Sequence, residues 1–362
     1  MTKTHKHPVS EKSFKLGVVE GFFGSAWSWQ ARTDYADFLS THGFNTYLYA
    51  PKSDHFLRRD WHMPFPQDHL DKLSKLADAY KNKSLNFGIG LSPFELYKDF
   101  NAKQKNLLRH KLEQINHINP SILCILFDDM QGDVEKLATQ QTDITNFIIQ
   151  YSQASHFIFC PTYYSDDPKL VSHFGKKPDH YFKDIGNFLD PSIDIFWTGP
   201  NVFSETFQQQ HLQNVAERFL RKPLIWDNYP VNDAERLCSK LNLQAFPDQA
   251  NILRKYTAGH LANPMNQAYL SQIPLFTLGQ HYLQKSSPDL LKEACETLCP
   301  GLLGKYILED ALLFQQQGLS AMNGDTKAAL IKKYSHFSDQ PQAVEIVSWL
   351  KGDFAFDPAC LT

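Results

Sequence analysis

Only six cysteines occur in 362 residues, at positions 124, 160, 238, 295, 299 and 360, and no two form a CxxC pair. That spacing gives neither a zinc site nor a disulfide framework, and Cys124 and Cys160, inside apolar runs, read as core thiols. HExxH and comparable ligand spacings are missing, so no metal and no cofactor is expected. Charge of one sign is missing too. Thirty-six basic against thirty-nine acidic residues leave a net charge of −3 and no electrostatic footprint for nucleic acid. Uncharged stretches are too broken by polar residues to span a bilayer, which excludes a membrane partner. The first ten residues carry positive charge with no apolar run after them, so positions 1–13 read as a flexible tail and the expected location is cytoplasmic. His5 and His7 in that tail resemble a ligand pair but read as ordinary solvated residues.

What is present is alternation. Short β-like runs at 15–20, 44–50, 85–91, 122–127, 156–161, 193–198, 223–227 and 256–261 are separated by segments of helical period such as 67–81, 102–116, 143–154 and 211–221. Strand and helix repeated eight times over about 250 residues is the rhythm of a closed (β/α)8 barrel, placed here at 14–285. A doubly wound open sheet alternates in the same way, and the count of eight favours the barrel. Beyond Lys285 the alternation stops. Ser287-Pro288 reads as an N-cap with proline at N1, opening helices at 290–298, 305–316, 326–334 and 342–350. This 286–362 segment reads as a helical appendage packed on the barrel or on another subunit, and a homodimer through it is the expectation carried forward.

In a (β/α)8 barrel the chemistry sits just after the strands. The run Ile122-Leu-Cys-Ile-Leu-Phe-Asp128-Asp129 delivers two carboxylates together to such a rim, where different surroundings can give them opposite tasks. Asp-Asp after a strand is also an ordinary turn or cap, so the pair counts only with its company. That company consists of aromatic faces at Phe23, Tyr49, Tyr164, Trp197 and Trp226, and of polar groups at Asp227, Asn228, Asn232, Asp233 and Asn263. Such a set suits a neutral, hydroxylated ligand such as a sugar better than a phosphate ester.

Six ordered motifs make the resemblance specific. Gly17-Val-Val-Glu20-Gly21-Phe-Phe-Gly24 with Trp27, Asn45-Thr-Tyr-Leu-Tyr-Ala-Pro-Lys52 and Phe127-Asp128-Asp129 are followed by Cys160-Pro-Thr162-Tyr-Tyr164, Trp197-Thr-Gly-Pro200 and Trp226-Asp-Asn228-Tyr-Pro-Val-Asn-Asp233. Across residues 15–265 the chain resembles glycoside hydrolase family 84, the O-GlcNAcases and related bacterial β-N-acetylglucosaminidases. The resemblance implies a retaining exo-glycosidase that removes terminal β-linked N-acetylglucosamine, with the substrate's own acetamide oxygen as nucleophile. By family position Asp128 orients the acetamide and Asp129 is the general acid and base. Substrate-binding roles carry over to Gly21, Lys52, Tyr164, Trp226, Asn228, Asp233 and Asn263. The implied partner is a GlcNAc-bearing glycoside, glycan or glycoprotein.

The chain departs from the family pattern at Ser53, Phe94, Met130 and Tyr163. No catalytic group is lost, and Phe94 and Tyr163 are expected to add bulk near the pocket mouth. Two other readings remain beside the hydrolase: a silent GlcNAc-binding protein on the same barrel, and a metal-dependent hydrolase using the aspartates with nearby histidines.

Overall fold

The protein is described here from a computed structural model covering residues 13–285 and 287–356. His5, His7 and Cys360 lie outside the described residues. Eight strands run β1 Lys15–Glu20, β2 Thr46–Tyr49, β3 Asn86–Leu91, β4 Ile122–Leu126, β5 His156–Cys160, β6 Asp194–Trp197, β7 Leu224–Asp227 and β8 Gly259–Ala262. All neighbours are parallel, and β1 pairs with β8 through Lys15 opposite Gly259 and Val18 opposite Ala262, so the sheet closes in sequence order. The connecting helices are α1 Trp29–Thr41, α2 Gln67–Asn82, α3 Ala102–Ile118, α4 Leu137–Tyr151, α5 Pro168–Phe174, α6 Tyr181–Phe188, α7 Gln209–Phe219, α8 Ala250–Tyr256 and α9 Ala268–Tyr282. Their starts follow from local chemistry where a side chain can serve. Ser28 caps α1 by accepting from the Ala31 N–H at 3.1 Å, and Asn101 caps α3 through the Lys103 N–H at 2.9 Å.

Strand period sorts the side chains into two cores. Val19, Leu48, Ala50, Cys124, Leu126, Cys160, Phe196, Trp226 and Leu261 meet in the barrel lumen. Their chain neighbours point the other way, into the layer between sheet and helices. There Glu20 accepts from Arg32 at 2.7 and 2.9 Å, and the guanidinium packs against the stacked rings of Trp29 and Tyr49. A buried carboxylate is tolerable in that layer because a bidentate arginine and the Tyr47 hydroxyl saturate it.

Past the barrel come α10 Leu290–Leu298, α11 Leu302–Leu312, α12 Gly318–Ala321, α13 Gly324–Ser335 and α14 Pro341–Lys351. Of these, α10 and α14 pack directly on α9, and Cys295, Ile307, Phe314 and Trp349 belong to the same apolar cluster as Leu270 and Phe276 of α9. Helix α9 is therefore buried on nearly every side, with the barrel on one face and the tail on the other. Glu345 of α14 accepts the Tyr269 and Leu270 N–H groups at 3.0 and 2.8 Å, capping α9 from the tail.

Three sequence expectations are corrected. Asp289, accepting from the Lys292 N–H at 3.0 Å, is the cap of α10, not Ser287, because the helix begins only at Leu290. The helix expected at 305–316 ends as an α-helix at Leu312 and widens into a π-helical turn over Leu313–Gln317. The eighth strand begins at Gly259: Leu253 packs with Phe207, Leu212 and Ile225, which keeps Ala250–Tyr256 helical until Thr257 caps its end.

Candidate active site

A cavity of about 180 Å³ opens at the carboxyl ends of the strands. It is smaller than the roughly 300–1,000 Å³ that holds a drug-sized ligand, which suits one sugar ring. Among its lining residues are Gly21, Lys52, Asp128, Asp129, Tyr164, Trp226, Asn228, Asp233 and Asn263, all the positions to which the family resemblance gave a catalytic or substrate-binding role.

Strand period explains how most of them arrive there. Lumen positions 48 and 50 continue to Lys52, 124 and 126 to Asp128, 226 to Asn228, and 261 to Asn263, each two residues beyond an inward neighbour. Thr162 supports the β4 tip, its hydroxyl donating to the Phe127 carbonyl at 2.7 Å while accepting from Gln141 at 2.8 Å. Asp129 has the wrong parity for the lumen. It reaches the pocket through a left-handed backbone, φ +56°, a conformation that costs a non-glycine residue about 1–3 kcal/mol.

The charged groups form one cluster. The Lys52 ammonium donates to Asp128 Oδ2 and lies 3.7 Å from Asp129 Oδ2. Tyr164 donates its hydroxyl to Asp129 Oδ1 at 3.0 Å, and burial, followed by Asp129 and Asp128, pushes its phenol well above the usual range. The Asp129 carbonyl accepts from Arg58 at 3.2 Å. Asp128 is 5% exposed, and its Oδ1 is a buried acceptor without a hydrogen-bond partner among the described residues. Opposite this cluster runs an amide chain. Gly21 N–H donates to Asn263 Oδ1 at 3.3 Å, while Asn263 and the Trp226 indole each donate to Asn228 Oδ1 at 3.0 Å. Gly21 must lack a side chain, since a Cβ there would lie 2.3 Å from the Trp226 ring. Asp233 accepts from the Phe23 N–H at 2.9 Å. Burial raises its carboxyl to about 6, against the lowering effect of that hydrogen bond.

Phe23 also lines the pocket, whereas the remaining sequence candidates fall elsewhere. Trp197 and Tyr49 point outward by strand period; the Trp197 indole meets His211 at 3.0 Å and the Tyr49 hydroxyl meets Asp54 at 2.8 Å. Asp227 likewise faces outward and pairs with His260 at 2.9 Å, and Asn232 is held by Lys240 and Gln267. Tyr163 is not at the mouth: it is buried, with its hydroxyl on the Gly175 carbonyl at 2.8 Å. Phe94 packs over the Arg58 guanidinium in a groove beside the pocket and not within it. Conversely, Cys160 and Phe196 line the pocket, and their place in the two-residue period could have revealed them. Val202 and Phe203, the latter 44% exposed, come from the loop after β6 and had no such signal.

Among the described residues no group of three His, Cys, Asp or Glu side chains is placed to hold a metal ion, and no helix is long and apolar enough to cross a membrane.

The barrel holds two adjacent carboxylates in one pocket at the carboxyl ends of its strands. Residues 16–304 match the family model described as beta-N-acetylglucosaminidase, and the chain belongs to that family. Protein O-GlcNAcase from Mus musculus is 30% identical over 280 residues, which are 75% of this chain and 30% of that protein. The Rattus norvegicus protein O-GlcNAcase is 29% identical over the same shares. This chain therefore spans about 30% of the length of these relatives. A mutant O-GlcNAc hydrolase of Thermobaculum terrenum superposes with a TM-score of 0.75 at 26% identity, covering 94% of this chain and 75% of that one.

Proposed function

We propose that the chain hydrolyses terminal β-linked N-acetylglucosamine with retention, through an oxazoline formed by the substrate's own 2-acetamido group. The observation that carries this reading is the buried Oδ1 of Asp128, without a partner among the described residues, beside Asp129 in a pocket of one-sugar size. A buried acceptor without a partner costs about 1–3 kcal/mol, and an acetamide N–H would satisfy it. Accepting that hydrogen bond as a carboxylate, Asp128 turns the acetamide oxygen toward the anomeric carbon and balances the positive charge that develops on the ring. The acetamide oxygen forms its bond to the anomeric carbon as the glycosidic bond breaks, and Asp129 gives its proton to the leaving oxygen. Water then attacks the same carbon, Asp129 takes a proton back, and the oxazoline opens to the sugar.

The neighbours suit these steps. Lys52 supplies countercharge to the ionised Asp128, and the Tyr164 hydroxyl holds Asp129. In this reading Trp226 walls the acetamide methyl and Asn228 lies beside the acetal and the nucleophilic acetamide oxygen. Gly21, Lys52, Asp233 and Asn263 bind the ring hydroxyls, with Asp233 on the 4- and 6-hydroxyls. The substrate is a GlcNAc-bearing glycoside, glycan or glycoprotein, as the names of the O-GlcNAcase relatives suggest.

A pair of aryl glycosides tests the mechanism. The β-N-acetylglucosaminide should be cleaved about three orders of magnitude faster than the β-glucoside with the same leaving group, since only the former carries its own nucleophile. Equal rates would rule out participation of the acetamide.

A further inference from the structure

Between Asp227 and Ala250 the chain forms a long connection with neither strand nor α-helix, and this connection carries Asp233 to the pocket. Long irregular loops are mobile unless something holds them. Here the C-terminal helices do. The Leu241 N–H donates to the Phe314 carbonyl at 3.3 Å, and the Gln244 N–H donates to Gln315 Oε1 at 2.9 Å. In the other direction, the Leu319 N–H donates to the Ser239 carbonyl at 2.7 Å and the Trp349 indole to the Cys238 carbonyl at 3.2 Å.

The tail is shaped for this contact. Phe314 and Gln315 belong to the π-helical turn Leu313–Gln317, a wider winding that recurs at functional sites. Phe314 is wedged between Trp349 and Tyr334, at ring distances of 5.3 and 5.9 Å, so the turn is anchored from behind. Gly318 closes the turn at φ +64°, where a Cβ would come within 2.4 Å of the Ser239 carbonyl. From the clamped stretch the hold passes inward. Asn232 donates to the Lys240 carbonyl at 2.9 Å, and Asn242 donates to the Pro230 and Val231 carbonyls at 3.0 Å. Residues 230–232 lead directly into Asp233.

We propose that the C-terminal helices are a positioning element for Asp233, with Gln315 and Trp349 as its positioning residues, so that grip on the non-reducing end of the sugar depends on the tail. This inference rests on the function proposed above for its sugar contact. The clamp itself is geometry within the chain.

The test uses the full chain with Gln315→Leu, which removes the acceptor, Gln315→Glu, which keeps it, and Trp349→Phe, which removes the indole donor and keeps a ring. With an aryl β-N-acetylglucosaminide, Gln315→Leu and Trp349→Phe should raise KM about three- to tenfold with kcat little changed, and Gln315→Glu should stay near wild type. In an Asp233→Asn background the same tail changes should alter KM less than about twofold, because the group they position has lost its charge. Equal KM effects in both backgrounds, or a fall in thermal stability with KM unchanged, would mean that the tail merely supports the fold. A second readout needs no turnover: the carbon-13 titration of the Asp233 carboxyl should move by roughly half a pH unit in Gln315→Leu and not in Gln315→Glu. If wild type cleaves no β-N-acetylglucosaminide, the functional reading falls, and this titration alone decides the clamp; an unmoved midpoint overturns it.

Discussion

Asp128 and Asp233 face one cavity but are held in different ways. Asp128 stands two residues beyond the end of β4, and positions 122, 124 and 126 already point into the lumen ahead of it. Asp233 stands six residues beyond β7, on a loop whose hydrogen bonds lead to the C-terminal helices. A strand tip inherits its direction from the ladder beneath it, and eight closed strands make that direction stiff. A loop residue inherits nothing from its neighbours and must be held by distant parts of the chain. The strand-tip wall carries the groups assigned to bond breaking, and the loop wall carries the group assigned to the far hydroxyls.

Substitutions can break this contrast, and the largest effect belongs to the strand-tip side. Asp129→Ala should lower kcat by about 10²–10⁴-fold on substrates with poor leaving groups, and much of that loss should return with a dinitrophenyl leaving group that needs no proton. Steady-state rates across a leaving-group series will read it, and an equal loss for every leaving group would remove Asp129 from the acid role. Gly21→Ala comes next. The new methyl and the Trp226 ring cannot share the space, so the ring must shift, and a displacement near 1 Å in a pocket wall costs on the order of 100-fold in kcat/KM. A crystal structure of that variant with Trp226 unmoved would contradict the explanation.

The smallest effect is on the loop side, where it has a pH signature. Burial raises the Asp233 carboxyl to about 6, with Asp129 adding to the rise and Lys52 opposing it. Above that value the group is an ionised acceptor, and below it a neutral acid that binds hydroxyls more weakly. For wild type, kcat/KM should therefore fall as pH drops through about 6. Asp233→Asn should lose about 10- to 100-fold at neutral pH and show no limb at that position. A limb near 6 that persists in the variant would belong to another group.

How much of this was legible beforehand follows the same division. Eight apolar runs separated by helical periods suffice for the barrel, since each is a local pattern. The start of the eighth strand is not legible locally, because the helical state of Ala250–Tyr256 is set by Leu253 packing on Phe207, Leu212 and Ile225, which are distant in sequence. Trp197, Tyr49 and Asp227 end strands, which locally resembles a place in the pocket, yet their parity sends them into the helix layer. Tyr163 was expected at the mouth and is buried under the loop that follows β4, a contact made by Gly132 and Gly175 and invisible to local pattern.

The amino-acid order by itself determined the barrel, the inward direction of Gly21, Lys52, Asp128, Asn228 and Asn263, and the family signature, because a two-residue alternation propagates through each strand without outside help. Tertiary structure alone decided the left-handed turn that brings Asp129 round, the depth at which Tyr163 is buried and the fastening of the Asp233 loop to the tail. Those depend on groups far apart along the chain, which become neighbours only after the sheet has closed and α9 has been covered from both sides.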